Sequence, residues 1–242
     1  MKKITTVLML FLAVGLSAQE DSKDKLSFSL SLNQDAFFGF TPMMTASYEL
    51  SETTALTAYG IQWGAGTGSA WGQWTEIGFG YAFQAGDFNI NPQLGFTMGS
   101  LLSSGATQRG VYFDGIVPNL TVNYDADKFE GQIYIGYYGA LTDNTGPGNS
   151  TNNYMHYWAN LGYKVSGSLS IGLHAEELYL SGGSTNGGGS LARTDGYFWF
   201  GPYVQLTKGD VGARFSFGDN YADSATRFAP NDFYKLSFFF SL

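Results

Sequence analysis

Hydrophobic and polar residues alternate with a period of two along most of the chain after residue 25. Near the end, Tyr234, Leu236 and Phe238 are separated by Lys235 and Ser237. A β-strand places residues i and i+2 on one face, so each such segment has an apolar face and a polar face. Most segments run about 9 to 12 residues, longer than the usual ~5–6 of soluble strands and suited to a tilted membrane crossing. The pattern predicts twelve strands that begin near Lys25, Pro42, Thr54, Trp74, Phe88, Val111, Phe129, Tyr154, Leu169, Gly196, Val211 and Phe233.

The connections between these segments alternate between short and long. Five are tight, at residues 51–53, 85–87, 125–128, 166–168 and 208–210. Six are predicted to be long, including residues 64–73, 99–110, 142–153, 181–195 and 218–232. Transmembrane barrels have this arrangement because their periplasmic turns are short and their outer loops are long. We therefore predict an all-β fold, a transmembrane antiparallel up-and-down β-barrel of about twelve strands, with ten or fourteen as the alternatives.

A soluble exported sandwich or a lipocalin-like barrel would show the same alternation, so other features must distinguish them. The polar face is rich in glycine and uncharged residues, which suits a confined lumen. Aromatic residues cluster near the strand ends, as in the interfacial girdles of membrane barrels. These residues are Tyr48, Trp63, Phe83, Phe88, Tyr124, Phe129, Tyr163 and Phe198. Both features favour the membrane barrel.

Two irregularities interrupt the alternation. Pro92, Pro118 and Pro202 fall inside predicted strands, where proline cannot donate to the ladder, and we expect bulges or strand starts there. After Glu176–Glu177, the alternation would place Leu178 and Leu180 on the inward face. A bulge would restore the register; otherwise the strand leaves the membrane at this point.

Residues 1–18 have the pattern of a secretory signal peptide. Lys2 and Lys3 precede an apolar stretch over residues 4–16, and Ser17–Ala18 suit cleavage before Gln19. The apolar stretch is shorter than the ~20 residues of a membrane helix. We predict a cleaved leader followed by a barrel domain over residues 19–242; an uncleaved anchor is the alternative.

Composition and charge exclude several classes of function. Charged residues make up only 13% of the chain and aromatic residues 17%, which is unlike a disordered or coiled-coil chain. The absence of cysteine excludes disulfides, thiolate metal sites and a cysteine nucleophile. The net charge is −8, and loss of Lys2 and Lys3 with the leader would make it −10. We therefore expect no binding to nucleic acid, whose phosphates require a basic surface.

The sequence carries little sign of catalytic or metal chemistry. His156 and His174 are the two histidines, and Glu176 follows His174 at i+2, which would make a weak metal pair. Outer-membrane phospholipases have a serine two residues from a histidine, and neither histidine here does. No Gly-x-Ser-x-Gly elbow is present. Oxygen ligands for Ca²⁺ occur at 143–153 and 219–223, without EF-hand spacing. We predict no enzyme activity, no catalytic residues, no cofactor and no metal.

The inward-facing residues supply a mixture of charged and aromatic side chains. By parity, the candidates for lining the lumen are Glu76, Glu130, Tyr134, Tyr138, His156, Trp158, Lys164, His174, Glu176, Trp199, Tyr203, Arg214 and Lys235. Such a lumen would pass or hold small polar solutes, for instance sugars stacked on the rings. Alternatively, these side chains fill a narrow barrel and pair with each other.

Several segments resemble an uncharacterised family of Bacteroidota outer-membrane β-barrel proteins. They are the leader end Leu16-Ser17-Ala18-Gln19, the stretch at 33–40, the strand at 56–61 and the Trp71-Gly72-Gln73-Trp74-Thr75-Glu76 segment. The resemblance implies a barrel in the outer membrane of a Gram-negative bacterium, and it brings no site residues with it.

Three functions are compatible with these features. The leading hypothesis is a porin-like passive channel for small hydrophilic solutes, with outer-membrane lipid and those solutes as its partners. The second is a plugged structural or accessory barrel that binds another envelope protein through its outer loops. The third is a membrane-embedded hydrolase.

Overall fold

The structure, a computed structural model, describes residues 25–64, 74–99, 102, 111–141, 150–185, 188–225, 227 and 229–242. Within these ranges the chain forms twelve β-strands. They are β1 (Leu26–Asp35), β2 (Gly39–Ser51), β3 (Thr54–Trp63), β4 (Trp74–Ala85), β5 (Phe88–Gly99), β6 (Val111–Asp125), β7 (Phe129–Ala140), β8 (Ser150–Ser166), β9 (Leu169–Thr185), β10 (Thr194–Lys208), β11 (Val211–Asn220) and β12 (Asp232–Ser241). In the part of the chain that is described, no helix has the length and apolar character needed to span a membrane.

The sheet closes on itself. Each strand pairs antiparallel with its neighbours in the chain, and β1 pairs with β12, with Leu30 opposite Phe240. The predicted antiparallel barrel of twelve strands is therefore confirmed. Closure leaves no unpaired edge, which is the condition for a sheet to lie in lipid.

The two ends of the barrel differ in their connections. The turn end carries the five tight connections, as predicted, together with the start of β1 and the end of β12. The loop end carries the other six. The first of these is short, because β2 begins at Gly39 and only Ala36–Phe38 separate it from β1. The prediction that all six would be long is wrong at this position.

Parts of the predicted loops are strand, and other parts are not described. β8 and β9 are 17 residues each and include residues 150–153 and 181–185, which the sequence assigned to loops. The predicted leader at 1–18 lies outside the described residues. Residues 65–73, 142–149 and most of 100–110 also lie outside the described residues. The range 142–149 contains part of the candidate Ca²⁺ loop.

The apolar side of the alternation forms the outer surface. Phe79 at the middle of β4 is 63% exposed and Leu161 on β8 is 59% exposed, and every strand carries similar residues. Exposing such a belt to water would cost about 25 cal/mol for each Å² of apolar surface, whereas lipid tails cover it without that cost. The outer surface is therefore suited to a bilayer.

Aromatic residues surround the barrel at the turn end. Tyr48, Phe83 and Phe88 are exposed there. The Phe88 ring stacks on Tyr124, with centroids 4.7 Å apart. Such rings are typical of a membrane interface. Trp63 is different: it lies at the loop end, is 7% exposed and faces the lumen, so its assignment to the girdle is wrong.

The three prolines lie within strands and cause no shift in register. Pro92 is opposite Leu120, and Pro118 is opposite Leu94. Pro202 is opposite Leu173. On the other side of each proline the ladder is interrupted and then resumes in the same register, because one donor is missing. The predicted bulges or strand starts at these positions are wrong.

The chain has no bulge at Glu176–Glu177 either. The irregularity lies in the partner strand, between Asp195 and Tyr197 of β10. Leu178 consequently faces inward, where it is buried. Glu177 faces outward near the loop end, where it accepts hydrogen bonds from Arg193, at 2.8 Å, and from the Tyr157 hydroxyl.

Candidate functional site

The turn between β1 and β2 folds into the barrel. The Asp35 Oδ1 atom accepts hydrogen bonds from the backbone N–H groups of Phe37 and Phe38, at 2.8 and 2.6 Å. Gly39 follows with a φ of 68°, a left-handed conformation that glycine adopts without strain. This tight geometry directs both phenylalanine rings into the lumen, where they are 1% and 2% exposed.

The two rings meet side chains from distant strands. Phe38 lies 4.7 Å from the Trp63 ring on β3 and 5.6 Å from the His156 ring on β8, measured between centroids. Phe37 lies 5.3 Å from Tyr197 on β10. Because β3 and β8 are nearly opposite each other in a twelve-stranded barrel, these contacts fill the lumen at the loop end. We call Phe37, Phe38, Trp63, Trp74, Tyr197 and Trp199 the aromatic plug.

A buried carboxylate, Glu176, lies beneath the plug and is surrounded by donors. Lys235 Nζ donates to its Oε2 at 2.6 Å, and the Tyr197 hydroxyl donates to its Oε1 at 2.7 Å. His156 Nε2 is 2.9 Å from Oε1, and His174 Nε2 is 3.2 Å from Oε2. A charge in such a dry site is tolerated only when it is paired and hydrogen-bonded.

A second buried carboxylate, Glu76, is held by neutral donors. The Tyr59 hydroxyl donates at 2.7 Å, the Trp63 indole at 2.9 Å and the Tyr138 hydroxyl at 3.1 Å. Asn119 donates in turn to the Tyr59 hydroxyl at 2.9 Å. This network joins β3, β4, β6 and β7 across the lumen.

A third carboxylate, Glu130, lies closer to the turn end. It accepts a hydrogen bond of 2.5 Å from the Tyr203 hydroxyl and faces the Arg214 guanidinium at 3.4 Å. Arg214 also donates to Gln205 at 2.8 Å and lies 4.8 Å from the centroid of the Tyr203 ring. The cationic group is therefore positioned by three neighbours.

A cavity of about 430 Å³ occupies the barrel between these networks and the turn end. Trp63 and Asp35 border it on the plug side. Tyr124 and Asp125 border it beside the β6–β7 turn, and the Asp125 side chain is 79% exposed. The cavity therefore reaches solvent at the turn end and is blocked by the plug at the loop end. Its size is within the range of about 300–1,000 Å³ that is usual for ligand sites.

The candidate lumen residues fall into several groups. Six of the thirteen border the cavity: Glu130, Tyr134, Trp158, His174, Arg214 and Lys235. Five others are buried in the hydrogen-bond networks: Glu76, Tyr138, His156, Glu176 and Tyr203. Trp199 is in the plug and stacks on Tyr197 at 3.9 Å. Lys164 is apart from the rest, at the rim of the turn end, where it pairs with Asp125 at 2.6 Å.

Several central residues were not among the sequence candidates. Phe37, Phe38 and Asp35 build the plug turn, and Tyr59 and Trp63 hold Glu76. An aspartate four residues before a glycine is a turn signal, and the strict alternation in β3 already placed residues 59, 61 and 63 on one face. The sequence therefore contained signals for these residues, but no pattern in it indicated that the β1–β2 turn folds into the lumen.

The two histidines contact Glu176, Tyr197 and Asn160 within the described residues, and none of these contacts is a Ser–His pair. The same ranges contain no group of three His, Asp or Glu side chains arranged to hold a metal ion. The spacing of His174 and Glu176 does bring them together, but Lys235 shares the carboxylate.

Comparison with solved structures finds outer-membrane barrels of the same fold. An outer-membrane channel from Pseudomonas putida F1 superposes with a TM-score of 0.59 at 10% identity, covering 90% of this chain and 93% of its own. The NanC porin superposes with a TM-score of 0.51 at 9% identity, covering 89% of this chain and 100% of its own. Likeness at this level of identity shows the fold alone. No curated protein matches the sequence. The model of a family of unknown function, DUF6733, matches residues 1–242, and the chain belongs to that family.

Proposed function

We propose that this protein is a porin-like channel for small polar solutes in the outer membrane of a Gram-negative bacterium, exported by a cleaved leader. The apolar outer surface and the aromatic girdle support a membrane location. The fold that it shares with the Pseudomonas putida channel and the NanC porin adds support for an outer-membrane barrel.

The observation that carries the proposal is the cavity inside a closed barrel, whose wall includes charged, amide and hydroxyl side chains. Short turns face the periplasm in such barrels, so the cavity opens to the periplasmic side. The aromatic plug is the barrier between the cavity and the loop end. In this conformation the channel is closed, and conduction requires the Phe37–Phe38 turn to leave the lumen.

Planar-bilayer recording of the purified barrel tests this proposal. We expect the wild type to conduct rarely and Phe37→Ala/Phe38→Ala to conduct steadily, because removing both rings opens space between β3, β8 and β10. Phe215→Ala/Phe217→Ala is the matched control, since these two rings are exposed on the outer face of β11. The control should behave as the wild type does.

A folded Phe37→Ala/Phe38→Ala variant with no conductance above that of the bare membrane would contradict the channel. Slower migration after heating in SDS gels establishes that each variant is folded before recording. Steady conductance in the control pair would also contradict the role given to the plug.

One observation favours the second candidate, a plugged accessory barrel that binds another envelope protein. The plug is well packed: its Tyr197 and Trp199 rings stack at 3.9 Å between centroids, and Trp199 stacks in turn on Phe233 of β12 at 5.1 Å. This candidate predicts no conductance from either the wild type or the plug variant. It also predicts that an envelope protein co-purifies with the barrel in mild detergent.

A further inference from the structure

We propose that the cavity at the turn end is a binding site for a small neutral sugar. The proposal names the solute class of the proposed channel and in that respect rests on the proposed function. It depends on how the charges of the wall are paired, on which polar atoms are left unpaired, and on the aromatic rings that border the cavity.

The charged side chains of the cavity wall are already paired within the protein. Lys235 is 2.6 Å from Glu176, and Arg214 is 3.4 Å from Glu130. Asp35 accepts two backbone hydrogen bonds from the plug turn. A charged ligand would have to compete with these partners, and separating a buried ion pair is unfavourable. The wall therefore favours a neutral ligand.

The rest of the polar wall is rich in amides and hydroxyls. Seven asparagine and glutamine side chains border the cavity among the described residues, including Gln93, Asn123 and Gln132. An amide both donates and accepts, and so does a hydroxyl group. A ligand with many hydroxyl groups matches such a wall at several points simultaneously, as an apolar ligand cannot.

Three buried atoms of this wall have no hydrogen-bond partner within the described part of the chain; one is His174 Nε2, which faces Glu176 Oε2 at 3.2 Å, and the other two are oxygen atoms. They are Oγ1 of Thr41 and Oδ1 of Asn119, on side chains that are 4% and 8% exposed as whole residues. Buried polar atoms are normally hydrogen-bonded, and leaving one unpaired is unfavourable. Both side chains border the cavity, and the two oxygens themselves expose almost no surface to it. A rotation of either side chain towards the cavity would let a ligand hydroxyl pair with its oxygen.

Aromatic rings complete the site. Trp158 is half-buried, borders the cavity and stacks on Tyr134 with centroids 4.0 Å apart. Phe239 borders the same space from β12. The C–H face of a sugar ring packs against aromatic side chains while its hydroxyls bond to surrounding amides. Ligand sites commonly combine apolar walls with a few placed polar groups in this way.

Calorimetric titration of the purified full-length protein with glucose and maltose tests the proposal, in a detergent without a sugar headgroup. We expect saturable binding of at least one of the two, and much weaker binding of glucuronate and glucosamine. Thr41→Val removes one hydroxyl with little change in shape and should weaken binding about three- to tenfold, as the loss of one hydrogen bond does.

Thr97→Val is the matched control. Thr97 is also buried with an unpaired Oγ1 among the described residues, but it does not border the cavity. The Thr97→Val variant should bind the sugar with the same affinity as the wild type. Absence of saturable binding by both sugars, tighter binding of a charged analogue, or equal weakening by both threonine variants would each overturn the site.

The experiments distinguish failure of the sugar site from failure of the channel. Binding is measured without a bilayer, and conductance is measured without sugar. Saturable sugar binding by a protein whose plug variant never conducts would overturn the channel and support the site. Steady conductance without sugar binding would support the channel and overturn the site.

Discussion

The two halves of the barrel interior are built from the same strands, but one is packed and the other is hollow. Near the loop end, inward positions hold large rings such as Trp63, Tyr197 and Trp199, all almost fully buried. Near the turn end, inward positions hold smaller groups such as Ser31 and Thr121, and a cavity remains. A barrel of this strand number can be filled or left open by side-chain size alone.

The buried carboxylates lie between the two halves and differ from the charges at the rim. Glu176 is fully buried against Lys235, whereas Asp125 pairs with Lys164 where its own side chain is 79% exposed. Water and salt screen the rim pair, but they do not reach the buried one to the same extent. The same type of ion pair should therefore matter to stability in one region and hardly at all in the other.

The largest expected effect comes from Lys235→Met. Removing the cation leaves the buried charge of Glu176 with only Tyr197 and the two histidines beside it. We expect the free energy of unfolding to fall by about 3–5 kcal/mol. Lys164→Met is the matched control, for which we expect a loss of at most about 1 kcal/mol. Urea titration of the refolded barrel, followed by its shift on SDS gels, measures both. Equal losses in the two variants would refute the contrast.

A smaller effect is expected where a tyrosine packs on glycine. A Cβ atom at Gly95 would lie 2.1 Å from the Tyr59 hydroxyl and 3.0 Å from Glu76 Oε1. Gly95→Ala therefore displaces Tyr59 from the carboxylate, and overpacking of this kind costs about 1–3 kcal/mol of stability. Gly60→Ala is the control, because nothing lies within 4 Å of its Cβ position.

In the same urea titration, Gly60→Ala should leave stability unchanged or raise it by up to about 1 kcal/mol. A Gly95→Ala variant as stable as the wild type would show that the Tyr59–Glu76 contact does not constrain this region.

The smallest expected effect concerns access of solvent to the two halves. Trp158 borders the cavity and is half-buried, whereas Trp199 is 0% exposed within the plug. Acrylamide entering from the turn end should quench the fluorescence of Trp158 and spare Trp199. Trp158→Phe should therefore reduce the quenchable fraction, and Trp199→Phe should raise it slightly. The reverse order would mean that the cavity is closed and the plug is open.

The strands were predictable because the period of two is a local property of the chain. The observed starts of β3, β4, β5, β6, β7, β9 and β11 coincide with the predicted ones at Thr54, Trp74, Phe88, Val111, Phe129, Leu169 and Val211. Tight turns precede most of these strands and leave little freedom in where each strand begins. The start of β8 was predicted at Tyr154 and observed at Ser150, because the β8–β9 hairpin continues beyond the regular alternation.

The inward assignments were predictable from parity, but the partners of these side chains were not. Glu76, His156 and Trp199 face inward and are buried, as their parity indicates. The contact between Glu176 and Lys235 joins residues 59 positions apart. Such a contact depends on the stagger of every strand between them as the sheet closes, and no local pattern encodes that sum.

The alternation of residue types by itself determined that this chain forms twelve strands, each with one apolar face, because the direction of a side chain depends only on its place in a strand. Whether the resulting cylinder is open or filled was decided by the tertiary structure. A three-residue turn bends inward, and rings from strands on opposite walls meet around it. Contacts across a lumen exist only after the sheet has closed. For that reason the aromatic plug and the cavity beneath it were apparent only from the tertiary structure.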